Sequence, residues 1–301
     1  MHSTILIFLD GVGIGEKDPM VNPFFKNKFK TFYEIFGETP HLGNQRIESK
    51  EAFIFPTDAC MGVDGLPQSG TGQTSIFAGF NAPKFIGKHF GPYPYSTLVP
   101  ELEKKNIWKE FLDRGMNPTF LNAYPKVFFD YINSGRKRLS VTSLSCLLTG
   151  VRLYTPTDLR NGKGLSAEID NSRWVERLNY NLPIIKSETA ARRLLRISDK
   201  HELTVFEFFY TDHFGHGRHP DIFDYTLNVL DNFLYTVIKN IGNRTLIICS
   251  DHGNLEDISV KSHTRNPSLT ITAGKHSELL SNKIKSLYDI KHSILDLYQG
   301  S

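Results

Sequence analysis

The chain has 301 residues, of which 40% are hydrophobic and 22% charged, which excludes a disordered or fibrous protein and indicates one or two folded domains. Its 35 basic and 32 acidic residues give a net charge of +3, which is too small to indicate a nucleic-acid partner, and we expect none. The three cysteines are widely separated, which excludes a disulfide framework and favours a cytoplasmic location.

The first predicted element is a strand over residues 4–9, with the sequence TILIFL. No basic segment precedes this apolar run and Asp10 follows it at once, so we interpret it as a strand and not as a signal peptide. No run in the chain reaches the ~18 apolar residues of a membrane span, and we expect no membrane association.

A second segment, 65–75, is rich in glycine and hydroxyl side chains and runs into the apolar residues 76–79. This pattern is typical of a turn that opens a helix, where free backbone N–H groups favour a phosphate. The segment is not a P-loop, because no Gly-Lys-Ser/Thr follows its glycines, and Ser69 lacks the preceding glycine of a nucleophile elbow.

The middle of the chain has a different character, with Gly, Pro and Asn breaks and short strand-like pieces at 119–121 and 139–141. We predict a catalytic core formed by 1–87 and 190–301, and an inserted α+β cap domain over 88–189 that selects the substrate. We interpret most of its basic residues as solvated surface, and 158–164 as the best candidate for a loop over the site. These basic residues are Arg136, Lys137, Arg138, Arg152, Arg160, Lys163 and Arg173.

Further strands are predicted at 204–210, 245–249 and 269–272. Between the first two, apolar residues recur at three- and four-residue steps from Phe223 to Ile241, which predicts a helix that stops at Gly242. A strand, a helix and a second strand in succession form a βαβ unit, whose two strands are parallel. A last helix is expected over about 279–297, on the other face. The predicted fold is therefore α/β, a three-layer core with a mostly parallel sheet.

Three of the predicted strands are followed by an aspartate: Asp10, Asp212 and Asp251. Ligands bind at the carboxyl ends of parallel strands, and three carboxylates there repel one another unless one of them is protonated or cations lie between them. Histidines accompany them, so Asp212, His216 and His263 are one candidate metal site, and Asp10, Asp251 and His252 are another. Carboxylate and imidazole ligands without thiolate suit Zn²⁺ or Mn²⁺.

These motifs, in this order, resemble the alkaline phosphatase superfamily, and within it the branch of cofactor-independent phosphoglycerate mutase and phosphopentomutase. The motifs that carry the resemblance are 9–15 (LDGVGIG), 69–73 (SGTGQ), 212–216 (DHFGH), 251–254 (DHGN) and 263–267 (HTRNP). The resemblance covers roughly 1–85 and 200–301, and the middle of the chain matches neither mutase cap.

The resemblance implies that Asp10, Ser69, Asp251 and His252 hold one metal and that Asp212, His216 and His263 hold the other. Ser69 is then also the nucleophile, with Thr71 as the alternative if the register shifts by two, and Arg265 is a possible phosphate contact. Gln73 stands where the family has a histidine, which departs from the pattern of the mutases.

We therefore predict a phosphoryl-transfer enzyme that acts on a small phosphate ester through a phosphoserine, as a hydrolase or a mutase. Two divalent ions, Mn²⁺ or Zn²⁺ rather than Mg²⁺, are the expected cofactors. The alternatives are an inactive metal-binding protein of the same fold and a phosphodiesterase. A peptidase or sulfatase is disfavoured, because neither His-Glu-x-x-His nor a sulfatase motif is present. The sequence does not indicate whether the protein is a monomer or an oligomer.

Overall fold

The computed structural model describes residues 2–50, 52–136 and 138–299, so Lys137 of the predicted insertion lies outside the described residues. Seven strands form one sheet in the order β2-β3-β7-β6-β1-β5-β4. The strands are β1 (Thr4–Leu9), β2 (Ile47–Ser49), β3 (Ala52–Thr57), β4 (Pro118–Phe120), β5 (Leu203–Phe208), β6 (Thr245–Cys249) and β7 (Ser268–Gly274).

The predicted mostly parallel sheet is confirmed. The central strand β1 pairs in parallel with both β5 and β6, and β4 pairs in parallel with β5. On the other side β7 is antiparallel to β6 and to β3, and β2 is antiparallel to β3. The strands β1, β3, β4, β5 and β6 therefore all point the same way, and their carboxyl ends share one edge of the sheet.

Helices cover both faces of the sheet. They are α1 (Pro23–Lys26), α2 (Ser69–Ala78), α3 (Ala82–Ile86), α4 (Val99–Lys105), α5 (Ile107–Asp113), α6 (Lys126–Asn133), α7 (Val141–Thr149), α8 (Pro156–Arg160), α9 (Ser172–Glu176), α10 (Ser187–Ser198), α11 (Tyr210–Gly215), α12 (Phe223–Lys239), α13 (Ser277–Lys283) and α14 (Asp289–Asp296). A π-helix spans Thr31–Phe36, and 3₁₀ turns span Ser96–Leu98 and Pro220–Ile222.

Two hydrophobic clusters, one on each face, make the three layers. Ile5 and Ile7 of β1 belong to the cluster that contains the buried residues of α10 and α12. Leu6 and Phe8, which alternate with them along the strand, belong to the cluster that contains residues of α2, α5 and α14. The strand β1 is completely buried, as its continuous apolar sequence predicts.

The predicted helix after β5 is confirmed as α12, which ends at Lys239, three residues before Gly242. The predicted single helix over 279–297 is instead two helices, α13 and α14. Its backbone is interrupted because Asp58 N donates to Lys285 O at 2.9 Å and Leu287 N donates to Asp58 O at 3.3 Å. Bonds to a distant segment replace those that would continue the helix.

Within the predicted insertion, the strand at 119–121 is confirmed as β4, but the strand expected at 139–141 is wrong. Val141 begins α7, since Ser140 accepts a hydrogen bond from Ser143 N and caps the helix. Because β4 belongs to the main sheet, 88–189 is not separate from the core along its whole length. The division into core and cap otherwise stays a prediction.

Among the described residues, no helix combines the length and the apolar character that a membrane span requires.

Candidate metal centre and active site

The fold brings the three predicted aspartates to one edge of the sheet. Asp10 directly follows β1, Asp251 follows β6 after one residue, and Asp212 is the third residue of α11, which follows β5. The neighbouring strands β5, β1 and β6 are parallel and in register, so their carboxyl ends meet there.

The first group of ligand atoms joins Asp212, His216 and His263. Both histidine Nε2 atoms lie 3.4 Å from Asp212 Oδ1, and they are 3.2 Å from each other. The opposite ring nitrogens face backbone carbonyls: His216 Nδ1 lies 2.9 Å from Lys261 O, and His263 Nδ1 lies 2.6 Å from Pro67 O. Such bonds hold both imidazoles with Nε2 directed at a shared cation position.

The second group joins Asp10, Asp212 and His252. His252 Nε2 lies 3.3 Å from Asp10 Oδ1 and 3.6 Å from Asp251 Oδ2. Asp212 thus takes part in both groups. The rings of His252 and His263 stack with their centroids 3.7 Å apart, which places the two groups side by side.

Asp251 lies just behind this second group. Its carboxylate is fully buried, accepts a hydrogen bond from Gly11 N at 3.3 Å and lies 3.5 Å from Gln73 Nε2. Gln73, the residue that departs from the family pattern, therefore contacts a predicted metal ligand. It also lines a large cavity at this edge of the sheet, the active-site cavity.

Burial and mutual repulsion dominate the electrostatics of the cluster. Burial, followed by the charges of Asp251 and Asp212, raises the pKa of Asp10 well above its ordinary value. Burial likewise raises the pKa of Asp251. For Asp212 burial acts in the same direction, but the hydrogen bond with His263 and the charge of His252 together lower its pKa.

The donor set fits divalent cations. Asp10 Oδ1 is buried and makes no hydrogen bond among the described residues, and it lies 3.3 Å from His252 Nε2 and beside two further carboxylates. A buried, unpaired carboxylate oxygen is costly unless a cation completes it. Carboxylate oxygens and imidazole nitrogens are ligands suited to such a cation.

Ser69 is the first residue of α2, whose ten residues are all buried. Its Oγ lies 3.0 Å from His252 Nε2, so the structure brings this hydroxyl into contact with the second group. The hydroxyl of Thr71, the alternative nucleophile, donates to Gln68 O and accepts from Phe90 N. These backbone bonds occupy the Thr71 hydroxyl, whereas Ser69 lines the cavity.

The cavity has a volume of about 990 Å³, and Asp10, Ser69, Asp212, His216 and His263 line it. Arg265 lies elsewhere. It lines a separate pocket together with Asp58 and Cys60 and is not among the residues that line the active-site cavity, so its role as a phosphate contact stays a prediction that this structure does not support.

The loop 158–164, which the sequence suggested as a cover for the site, packs away from the cavity. Asp158 pairs with Arg152 at 2.6 Å, and Gly162 O accepts a hydrogen bond from Arg196 of α10. Of the basic residues in the predicted insertion, Arg138 lines the cavity.

Glu207 is a site residue that the sequence analysis missed. It lies in β5, lines the cavity, and accepts a hydrogen bond from Thr142 Oγ1 at 2.6 Å. Asn122 bonds to both backbone groups of Glu207, at 2.7 and 2.8 Å. Burial raises the pKa of Glu207 to about 7. The sequence did contain one indication of this residue, because Glu207 is a single carboxylate within the predicted buried run 203–209.

A family model described as the Metalloenzyme superfamily matches residues 178–300, which carry five of the seven predicted metal ligands. Among solved structures, the chain is similar to the PH0037 protein from Pyrococcus horikoshii, with 14% identity, a TM-score of 0.52, and coverage of 100% of this chain and 97% of that chain. No curated protein matches.

Two further similar structures have lower scores. Alkaline phosphatase from the Antarctic bacterium TAB5 has 12% identity and a TM-score of 0.46, with coverage of 98% of this chain and 97% of that one. Phosphoglycerate mutase of Leishmania mexicana has 14% identity and a TM-score of 0.37, with coverage of 63% and 36%. The match to the Metalloenzyme superfamily supports the predicted resemblance and a metalloenzyme over the C-terminal part of the chain, and the similarity to PH0037 supports the fold.

Proposed function

We propose that this protein transfers phosphoryl groups from phosphate esters, with Ser69 as the nucleophile and divalent cations as cofactors. The observation that carries the proposal is the position of Ser69. Its hydroxyl stands at the buried N-terminus of α2, 3.0 Å from His252 Nε2, in the cavity that is also lined by Asp10, Asp212, His216 and His263. A helix N-terminus adds backbone N–H groups that favour a phosphate.

The ligand assignments stay those implied by the sequence. Asp212, His216 and His263 would hold one ion, and Asp10, Ser69, Asp251 and His252 the other, with Asp212 close to both. Mn²⁺ or Zn²⁺ is the proposed metal. When bound, the ions would lower the pKa of the Ser69 hydroxyl and offset the negative charge of the phosphoryl oxygens.

The chain's own residues carry out a two-step transfer. Ser69 Oγ forms a bond to phosphorus, its proton is lost to solvent, and the bond from phosphorus to the ester oxygen breaks, so that the alcohol leaves with a proton from water. In the second step water, or another hydroxyl of the substrate, takes the phosphoryl group and restores Ser69. Water as acceptor makes the enzyme a hydrolase, and a substrate hydroxyl makes it a mutase.

The test is turnover of a panel of phosphate monoesters and diesters by the Mn²⁺- and Zn²⁺-loaded protein, with mapping of any phosphopeptide. We expect phosphate on Ser69, and a loss of turnover of at least about a thousandfold in Ser69→Ala. Ser75→Ala is the matched control, because this serine lies in the same helix but bonds to Thr71 O.

Full turnover by Ser69→Ala would contradict the assignment of the nucleophile, and a phosphopeptide on Thr71 would transfer the role to that residue. Bound metal without turnover of any monoester or diester would favour the inactive metal-binding alternative. Preferential turnover of diesters would favour the phosphodiesterase.

A further inference from the structure

The active-site cavity is much larger than a phosphoryl group requires. Its volume of about 990 Å³ lies at the upper end of the range of about 300–1,000 Å³ that is typical of pockets for drug-sized ligands. About half of the side chains that line it beyond the catalytic group are aromatic or aliphatic. They include Leu66, Tyr93, Tyr124, Val127, Phe128 and Phe209.

Several of these apolar side chains are exposed to water at the cavity. The exposed fraction is 65% for Val127, 41% for Tyr93 and 39% for Leu66. They come from three separate parts of the chain, yet they converge on one cavity. A ligand that covered them would remove apolar surface from water, which favours binding by roughly 25 cal/mol per Å².

Part of this apolar lining is flat. The rings of Tyr124 and Phe128 stack with centroids 3.9 Å apart and an angle of 20° between the planes. Phe128 belongs to α6, in which no residue is fully buried although the helix carries several apolar side chains. An aromatic surface of this kind suits a planar ring, which adds a stacking contribution to the area that it buries.

Positive charges also line the cavity, from Arg138, Arg218 and Lys261. They favour the approach of an anionic ester. The cavity therefore combines a phosphoryl-transfer group, an apolar aromatic wall and cationic side chains.

We infer that the substrate is a phosphate monoester whose alcohol carries an aromatic ring, and that this ring lies against the wall formed by Tyr93, Val127 and Phe128. The inference rests on the proposed function, since it assigns the rest of the cavity to the leaving group of that reaction. A small polar sugar or acid would leave the exposed apolar side chains uncovered.

The test compares 3-phenylpropyl phosphate with propyl phosphate as substrates of the metal-loaded protein. Both leaving groups are primary alkyl alcohols of similar acidity, so the ratio of their kcat/KM values reports contact with the ring. We expect a ratio of about 30- to 100-fold in favour of the phenyl ester. The corresponding phosphonates, which are not hydrolysed, should show a similar ratio of affinities by calorimetry.

Variants of α6 locate the ring. Phe128→Ala should lower the ratio about tenfold, whereas Phe129→Ala should keep it, because both side chains pack against the hydrophobic core but Phe129 does not line the cavity. If Phe128→Ala fails to fold, Val127→Asn at the exposed position next to it makes the same test, and it should lower the ratio.

The outcomes separate this inference from the proposed function. Equal kcat/KM values and equal phosphonate affinities would overturn the aromatic assignment and leave phosphoryl transfer intact. If the metal-loaded protein turns over neither these two esters nor any member of the panel of monoesters and diesters, the proposed function fails. A preference for the phenyl phosphonate would then still support the aromatic subsite.

Discussion

Glu256 is a single buried side chain that ties three loops of the active site together. Its Oε2 accepts hydrogen bonds from Gly13 N and Asn254 N, both at 2.8 Å. Its Oε1 accepts from Thr264 Oγ1 at 2.5 Å and from Asn266 Nδ2 at 3.0 Å. The donors lie in the segments that follow β1, β6 and His263, so this carboxylate fixes the relative positions of the candidate ligands.

Replacing this carboxylate with an amide should destabilise the metal-free protein. In Glu256→Gln one acceptor oxygen becomes an NH₂ group that faces hydrogen-bond donors, and we expect the free energy of unfolding in urea to fall by roughly 2–4 kcal/mol. Thr264→Val removes one of the four donors to Glu256, together with the acceptor of Asn266 N, and should cost less, about 1 kcal/mol. Equal losses in the two variants would contradict the central role of Glu256.

A second buried carboxylate should make stability depend on pH. Burial raises the pKa of Glu168 from 4.5 to about 7. The native protein therefore keeps the proton up to about pH 7, whereas the unfolded chain loses it near pH 4.5. The cost of this burial is absent below pH 4.5, grows between the two values, and is complete above pH 7.

Glu168→Gln should remove that cost, and its Oε1 can still accept the bond that Trp174 N now donates at 3.2 Å. Relative to the wild type, we expect the variant to gain about 3 kcal/mol in free energy of unfolding from pH 4 to pH 8. Denaturant unfolding across this range measures the gain. Parallel pH curves for the two proteins would show that Glu168 is ionised in the native state.

The position of a single site residue could be predicted from the sequence where a local sequence pattern determines that position. Asp10, Asp212 and Asp251 could be placed together because each follows a strand and parallel strands end at the same edge. Arg265 could not be placed, because its neighbours Asp58 and Cys60 are distant in the chain. Proximity to His263 in sequence did not bring its side chain into the cavity.

The helix α2 depends on a close approach to the loop at 90–93. A Cβ on Gly70 would lie 2.2 Å from Tyr93 O and 2.7 Å from Phe90 O, both of which are backbone atoms. A residue without a Cβ is therefore needed at position 70. Gly70 lets α2 approach this loop and so allows Ser69, the residue before it, to occupy its observed position.

Gly70→Ala should push α2 and this loop apart. We expect a loss of roughly 1–3 kcal/mol in the free energy of unfolding and the loss of phosphorylation on Ser69, measured by denaturant unfolding and phosphopeptide mapping. Gly43→Ala is the control, because its nearest neighbours are imidazole atoms of His41, a side chain that can move aside. Normal phosphorylation of Gly70→Ala would contradict this role.

At the scale of elements, periodicity predicted α12 and the central strands well, because their apolar patterns are long or continuous. It failed where a local or distant hydrogen bond decided the outcome. Ser140 caps a helix where the pattern predicted a strand. The backbone bonds of Asp58 separate the predicted last helix into two helices. The pairing of β4 with β5 could not be predicted from the sequence either, because no short-range pattern determines which distant strands pair.

For the whole molecule, stability and metal binding should be linked. The buried carboxylates repel one another in the metal-free protein, and cations that bind only the native state stabilise it by about 2.7 kcal/mol at a hundredfold excess over Kd. For a protein of 301 residues that is a rise of roughly 4 °C in Tm. Thermal unfolding with Mn²⁺ or Zn²⁺, against the same protein in a chelator, measures it.

Asp10→Asn should separate the two effects. Removing one buried charge should leave the metal-free protein at least as stable as the wild type, because the pKa of Asp10 is raised by burial and by its neighbours. The same change should abolish most of the metal-induced rise in Tm. An undiminished rise in this variant would show that Asp10 is not a ligand.

The central position of β1 also has a consequence for synthesis on the ribosome. Its sheet neighbours are β5 and β6, which begin only at Leu203 and Thr245. At about 5–20 residues per second, on the order of 10 to 50 s pass before both partners exist. During that time an uncharged apolar strand has both edges unpaired, the condition in which nascent chains aggregate. We therefore expect chaperones that bind extended apolar segments to raise the yield of the native protein.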